Sequence, residues 1–145
     1  MILIMSICQN IIALFALIFS IYSLHNSFKL SSAVLENTLN DKITNIYNQI
    51  MKDVKKVKKL QRKNKKRKLQ DAKDILNNEL ENLCNALNVA CGFYLDGKID
   101  RKRFKREYKL MIERIMTAEH YKVFIEDKTA YSSLWTVYNK IILVK

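Results

Sequence analysis

A dense run of basic side chains lies near the middle of the chain. The positions from Lys52 to Lys68 (KDVKKVKKLQRKNKKRK) hold 11 Lys or Arg and one Asp, so this run supplies +10 of the net charge of +12. Ammonium and guanidinium groups bind the phosphates of anionic lipids and nucleic acids. We therefore predict phosphate or anionic-lipid contacts from the basic residues beyond Asp53, which are Lys55, Lys56, Lys58, Lys59, Arg62, Lys63, Lys65, Lys66, Arg67 and Lys68.

Three interpretations of this run compete. Its like charges can simply keep a solvated helix or linker extended. They can bind anionic headgroups, at up to ~1 kcal/mol per basic residue near the surface. However, a straight helix over residues 29–51 along the membrane normal would place the run roughly 35 Å from the bilayer, well beyond the ~8 Å screening length. Lipid binding therefore requires that helix to bend or lie flat.

The third interpretation of the run is a contact with nucleic acid or with an acidic protein. Neutralising phosphates needs only Lys and Arg, which the run supplies in excess. The run contains no aromatic residue on which a base could stack. Binding of nucleic acid here would therefore be independent of sequence and strongly dependent on salt.

Residues suited to catalysis or metal binding are few and scattered. Cys84 and Cys91 lie about 10.5 Å apart along a helix axis, too far for a disulfide. His25 and His120 are isolated from each other, and no Gly-rich phosphate loop is present. The segment DGKID lacks most ligands of a calcium-binding loop and is predicted to be a plain turn. We predict no catalytic residue, metal or cofactor, and therefore not an enzyme.

Aromatic side chains concentrate near the C-terminus. Tyr131, Trp135 and Tyr138 follow one another at four- and three-residue steps in the segment YSSLWTVYNKI. Aromatic residues at this spacing either pack into a helical core or form an exposed patch that binds a partner protein. Core packing is the favoured interpretation, and the same three residues are our candidates for a partner contact.

The first 28 residues form a predicted membrane anchor. They contain no Asp, Glu, Lys or Arg, and 19 of the first 24 are apolar or aromatic. About 20 such residues in a helix cross a hydrocarbon core about 30 Å thick. A cleaved signal peptide is the alternative, but a basic start and a small-residue cleavage site are both missing. Because the basic residues follow the span, we predict that the N-terminus faces outward and the remainder is cytoplasmic.

Residues 29–70 form a predicted helical stalk with a narrow apolar stripe. The stripe advances by alternating three- and four-residue steps, and Asp53 occupies the position that breaks it. Its members are Leu39, Ile43, Ile46, Ile50, Val57 and Leu60. Such a stripe fits a coiled coil that joins two copies of the chain. It fits equally well a helix folded onto the C-terminal part of the same chain.

Residues 71–145 show regular helical periodicity. Apolar residues recur every three or four positions from Ile75 to Tyr94, again from Phe104 to Ile115, and in two shorter segments beyond. Between the two longer segments, Gly97 suits a left-handed helix end and Asp100 suits the N-cap of the next helix. We predict a small cluster of three or four helices in this part of the chain.

The composition favours helices throughout. The chain contains no Pro and two Gly, so the turns that β-hairpins need are almost absent. An apolar content of 49% argues against extensive disorder. We therefore predict an all-α protein consisting of an N-terminal transmembrane helix, a helical stalk and a small C-terminal helical cluster.

The whole layout resembles a known group of small bacterial single-span membrane proteins. They belong to a family defined as a domain of unknown function and are sometimes labelled phage abortive-infection proteins. The resemblance covers about half of the chain, including residues 80–115 and the aromatic segment at 131–141. Its matching residues are Leu76, Asn77, Glu81, Tyr94, Gly97, Ile99, Asp100, Phe104 and Tyr108. It implies a location in the bacterial inner membrane and a role in phage defence or a mobile-element function.

These observations lead to two expectations about function. The first is a membrane-anchored helical protein that binds a protein partner or senses an intracellular event, with self-association through the stalk as an open alternative. The second is a membrane-tethered protein that binds nucleic acid non-specifically through residues 52–68. The two differ in whether the basic run is the binding surface.

Overall fold

The computed structural model describes the backbone of residues 2–143 and the side chains of residues 12–140. Over these residues the chain is helical and contains no strand, which confirms the predicted all-α class. The helices are α1 (Ile2–Arg62), α2 (Lys66–Leu95), α3 (Arg101–Thr117), α4 (Glu119–Ile125) and α5 (Ser132–Val137), followed by a π-helical segment (Tyr138–Leu143).

The chain divides into two compact units, Met1–Leu35 and Glu36–Lys145. We call the second the helical unit. It includes most of the residues that the sequence analysis assigned to a stalk, because the C-terminal half of α1 packs with the later helices. The boundaries of the anchor and the stalk after residues 28 and 70 stay predictions.

The first unit exposes its apolar side chains. Within it, Phe15 and Phe19 are 68% and 72% exposed, and the other large apolar residues from Ile12 to Phe28 are similarly uncovered. Among the residues of this helix whose side chains are described, an 18-residue window has a mean hydropathy of 1.3, and none of that window is buried. By length and composition the helix can cross a membrane.

The apolar stripe of α1 is buried inside the helical unit. Leu39, Ile43 and Ile50 are buried, and the remaining stripe residues are half-buried. Burial of one helical face by other helices of the same unit is the normal outcome for an amphipathic helix. The arrangement matches the alternative in which this helix folds onto the C-terminal part of its own chain.

The core of the helical unit is built from α1, α2, α3 and α5. Its least exposed large side chains are Ile43, Leu83, Leu87, Ile112, Ile115, Leu134 and Val137. Asn88 of α2 joins α5 to this core, because its Oδ1 accepts the backbone N–H of Leu134 at 3.0 Å and its Nδ2 donates to the carbonyl of Ala130 at 3.1 Å. The side chain of Asn88 therefore caps the first turn of α5, whose own N-cap residue makes no side-chain hydrogen bond.

The connection between α2 and α3 has the predicted geometry. Gly97 has a φ of 70°, and the side chain of Asp100 accepts the backbone N–H of Arg103 at 2.7 Å. Ile99 is buried beside this N-cap. The carboxylate of Glu36 accepts the N–H of Asp100 at 2.6 Å and pairs with Arg103 at 2.6 Å. The turn is therefore fastened to the segment of α1 at which the helical unit begins.

Candidate polyanion-binding site

A short turn inside the basic run reverses the direction of the chain. Helix α1 ends at Arg62 and α2 begins at Lys66, while Asn64 between them has a left-handed φ of 52°. Asn tolerates this conformation better than most residues. Side chains of α1 and α2, including Ile46 and Ala86, line one shallow cleft, so the two helices are neighbours in a helical hairpin.

The run Lys52–Lys68 forms the end of this hairpin, and we call it the basic tip. All 11 of its Lys and Arg residues are exposed. Among the residues with described side chains, none of the 11 takes part in an ion pair. The one acid of the tip, Asp53, is 5% exposed and accepts a hydrogen bond from Gln49 Nε2 at 3.0 Å. The solvent-facing surface of the tip is therefore uniformly positive.

Five of these basic residues form a stripe along α1, and Lys63 continues it into the turn. They follow one another at steps of one or three residues, so they fall within one exposed arc of the helix. The basic stripe consists of Lys52, Lys55, Lys56, Lys59, Arg62 and Lys63. It extends about 16 Å along the axis and lies on the face turned away from the buried apolar stripe. This arrangement directs the six charges to solvent on one side of the hairpin.

The start of α2 adds four consecutive basic residues, Lys65 to Lys68. Consecutive residues point about 100° apart around a helix, so these side chains surround the end of α2. The helix has no side-chain cap and no acid in its first turn. The positive end of its macrodipole therefore adds to the charge of the tip instead of being offset.

The charge of the tip opposes the stability of α1. Seven pairs of Lys or Arg within Lys52–Arg62 lie three or four residues apart. Each such like-charge pair destabilises a helix by about 0.2–0.5 kcal/mol, so together they cost about 2 kcal/mol at low salt. Burial of the stripe on the other face of α1 offsets this cost. An anionic ligand would remove the cost of the like-charge pairs, since bound negative charge neutralises their repulsion.

The aromatic residues near the C-terminus are mostly part of the fold. Tyr131 is 7% exposed, and Trp135 is half-buried with its Nε1 donating to the carbonyl of Ile125 at 3.0 Å. Tyr138 is half-buried and meets Trp135 edge-on, with 6.3 Å between the ring centroids. The surface proposed for a partner protein is therefore reduced to the uncovered edges of Trp135 and Tyr138.

The cysteines of α2 are unsuited to nucleophilic chemistry. Burial raises the pKa of Cys84 to about 12, with a smaller contribution from the charge of Glu81. Burial alone raises the pKa of Cys91 to about 12. Both are free thiols with no exposed surface. Cys8 lies outside the residues whose side chains are described. Within the part that is described, no three His, Cys, Asp or Glu side chains are grouped so as to hold a metal ion.

The sequence analysis identified the basic residues but missed how they are displayed. The signal for a hairpin was present, since Asn64 is the one residue of the KNKK segment suited to a left-handed turn. The signal for the basic stripe was also present in the three- and four-residue steps from Lys52 to Lys63. Neither signal includes Gly or Pro, which usually mark a helix end, so both were easy to miss.

No protein-family model, curated protein or solved structure matches this chain. The resemblance to phage abortive-infection proteins therefore stays a prediction.

Proposed function

We propose that this protein is a membrane-anchored helical interaction protein that binds polyanions through its basic tip. The observation that carries the proposal is the display of 11 exposed Lys and Arg residues, without ion-pair partners among the described side chains, at the end of a folded hairpin. A basic surface of this density attracts anionic partners and accelerates their association. Because the run is helical rather than an extended linker, its charges are held at fixed spacing.

The membrane anchor is proposed to be residues 1–28 as an uncleaved signal anchor. The length and hydropathy of the helix support it, and so does the exposure of its apolar side chains from Ile12 to Phe28. The excess of basic residues after the span favours a cytoplasmic location for the helical unit. We further propose a single span in the bacterial inner membrane, which follows from the resemblance.

The resemblance also suggests a setting for the activity. It supports a role in phage defence or a mobile-element function, which can be measured as the plating efficiency of phages on bacteria that express the protein. We do not include a coiled coil between two copies in the proposal. Leu39, Ile43 and Ile50 would have to leave the core of the helical unit before they could form such a seam.

Two variants with equal charge change test the proposal. The tip variant carries Lys52→Gln, Lys55→Gln and Lys59→Gln. The control variant carries Lys102→Gln, Lys105→Gln and Lys109→Gln. Both sets follow steps of three and four residues on one helix, and all six side chains are exposed and outside any described ion pair.

The measurement is retention of the full-length protein, in uncharged detergent, on immobilised heparin, which serves as a generic polyanion. We expect the wild type and the control variant to elute at similar salt concentrations and the tip variant to elute at a clearly lower one. Equal elution of the two variants would contradict the proposal, because it would mean that only net charge matters. Failure of the wild type to bind heparin would also refute the proposal, because the tip would then be only a solvated surface.

A further inference from the structure

We infer that the polyanion bound by the basic tip is nucleic acid, held through its phosphate backbone without regard to base sequence. The inference rests on the proposed function and names the chemical class of its partner. Three properties of the tip support nucleic acid over an acidic protein or an anionic membrane: its lack of apolar anchors, the distribution of its charges around the hairpin, and its charge density.

The tip offers no apolar anchor. Its apolar residues, Val54, Val57 and Leu60, are all half-buried, and no large apolar side chain between Lys52 and Lys68 is exposed. Interfaces between proteins usually depend on a few aromatic or apolar residues that are buried at the centre of the contact. A helix that lies in a membrane surface inserts a free apolar face. The apolar face of α1, which could otherwise insert into a membrane, is already buried inside the helical unit.

The charges of the tip are distributed around it instead of on one plane. The basic stripe occupies an exposed arc of α1, while Lys65 to Lys68 point in successive directions around the start of α2. A flat layer of headgroups can contact one side of such a surface. The phosphates of nucleic acid follow a curved path along two grooves, so they can approach a convex tip from more than one side.

The charge density of the tip also suits a nucleic-acid backbone. A duplex carries one negative charge per ~1.7 Å of its axis, so the basic stripe, about 16 Å long, spans about nine phosphates. The phosphates along this length of duplex therefore outnumber the six basic residues of the stripe. Because the tip contains no aromatic residue, it has no group on which to stack a base. The tip therefore contacts the phosphate backbone of the nucleic acid and does not distinguish its base sequence.

The test measures the affinity of the full-length protein, in uncharged detergent, for fluorescent 30-base-pair DNA duplexes of two unrelated sequences. We expect the two dissociation constants to agree within about twofold. With six phosphate contacts, the affinity should fall about 10³-fold between 50 and 200 mM salt. The tip variant, with three contacts left, should lose only about 40-fold over the same range and bind more weakly at 50 mM. The control variant should keep the wild-type salt dependence.

Two further sets of samples control for misfolding of the variants and for binding of other anions. A charge-retaining variant, Lys52→Arg with Lys55→Arg and Lys59→Arg, should bind the duplex like the wild type, and circular dichroism should give equal helix content for all variants. Vesicles rich in phosphatidylserine and soluble polyglutamate are compared with the duplex as ligands. Both should bind at least tenfold more weakly per charge than the DNA.

The outcomes separate this inference from the proposed function. If heparin retains the protein but the vesicles or polyglutamate bind as tightly as the duplex, the nucleic-acid assignment is wrong and polyanion binding stands. If neither heparin nor the duplex binds, both fail together. A preference above tenfold for one DNA sequence would refute the backbone-only contact.

Discussion

Gln49 donates a 3.0 Å hydrogen bond to the carboxylate of Asp53, one helical turn further along α1, and that carboxylate is buried beneath the basic tip. Asp53 is the one acid within Lys52–Lys68. Its negative charge therefore opposes the mutual repulsion of the lysines around it, although none of them forms an ion pair with it. A residue that interrupts the apolar stripe in the sequence is therefore expected to stabilise the most highly charged part of the protein.

We expect Asp53→Asn to destabilise the helical unit by about 1–2 kcal/mol, because a hydrogen bond to a charged group becomes a neutral one and a compensating charge is lost. Chemical denaturation of the full-length protein in uncharged detergent measures this difference. The electrostatic part should shrink in high salt, since screening weakens the repulsion among the lysines. A loss of stability that is identical at low and high salt would contradict the role assigned to the charge.

The ion pair between Glu36 and Arg103 is expected to stabilise the turn before α3. Glu36 is 12% exposed and also accepts the N–H of Asp100, whereas Arg103 is 48% exposed. Because one partner is largely solvated, we expect a coupling free energy of only about 0.5–1 kcal/mol between the two side chains. A double-mutant cycle with Glu36→Gln and Arg103→Gln measures it. A coupling free energy near zero would show that the side-chain pair contributes no stability.

The buried thiols should make the stability fall at alkaline pH. Burial raises the pKa of both Cys84 and Cys91 from 9.0 to about 12. Below pH 9 both thiols are protonated in the folded and unfolded chains, so the stability does not depend on them. Between about pH 9 and 12 the unfolded chain loses their protons more readily, so the free energy of unfolding decreases as the pH rises.

The measurement is the free energy of unfolding of the reduced protein at pH 8 and pH 10. The double variant Cys84→Ala with Cys91→Ala should have a smaller decrease over this interval than the wild type. Tyr108, whose pKa burial raises to about 12, adds a similar effect from pH 10 upward and is unchanged in the variant. Equal decreases in the two proteins would refute the assignment to the thiols.

Local signals in the sequence were sufficient to predict several elements. The all-α class follows from a composition without Pro and with two Gly. The turn between α2 and α3 depends on Gly97 and Asp100, and each residue acts within its own helix end, so neighbouring residues alone determine the result. Such elements can be predicted because their geometry is decided by contacts within a few positions.

Elements that depend on distant contacts could not be decided in the same way. The stripe with Leu39 and Ile43 has the same spacing whether it meets a second chain or α2 and α3, so the sequence left both alternatives open. The burial of Asp53 was not predicted, because an acid in an apolar stripe normally indicates its end. The hairpin at Asn64 was missed because one left-handed residue among lysines gives a weak signal.

Neutralising the tip should stabilise the helical unit while it weakens ligand binding. Lys52→Gln, Lys55→Gln and Lys59→Gln remove six of the seven like-charge pairs along α1. We expect the free energy of unfolding at low salt to rise by about 1.5–2 kcal/mol, since each pair costs about 0.2–0.5 kcal/mol and Gln retains a high helix propensity. The control variant at Lys102, Lys105 and Lys109 should change less, because Glu113 lies four residues after Lys109 on the same helix face and offsets part of the repulsion.

Denaturation at 20 mM and at 500 mM salt tests this trade-off. The wild type should gain stability with salt and approach the tip variant at the higher concentration, because screening removes the repulsion that the substitutions also remove. If added polyanion raises the stability of the wild type but not of the tip variant, the three substituted lysines contribute both to the repulsion and to the binding. A tip variant that is less stable than the wild type at both salt concentrations would contradict this prediction. It would mean that the alkyl chains of these lysines stabilise the fold, so their presence would not need a ligand to explain it.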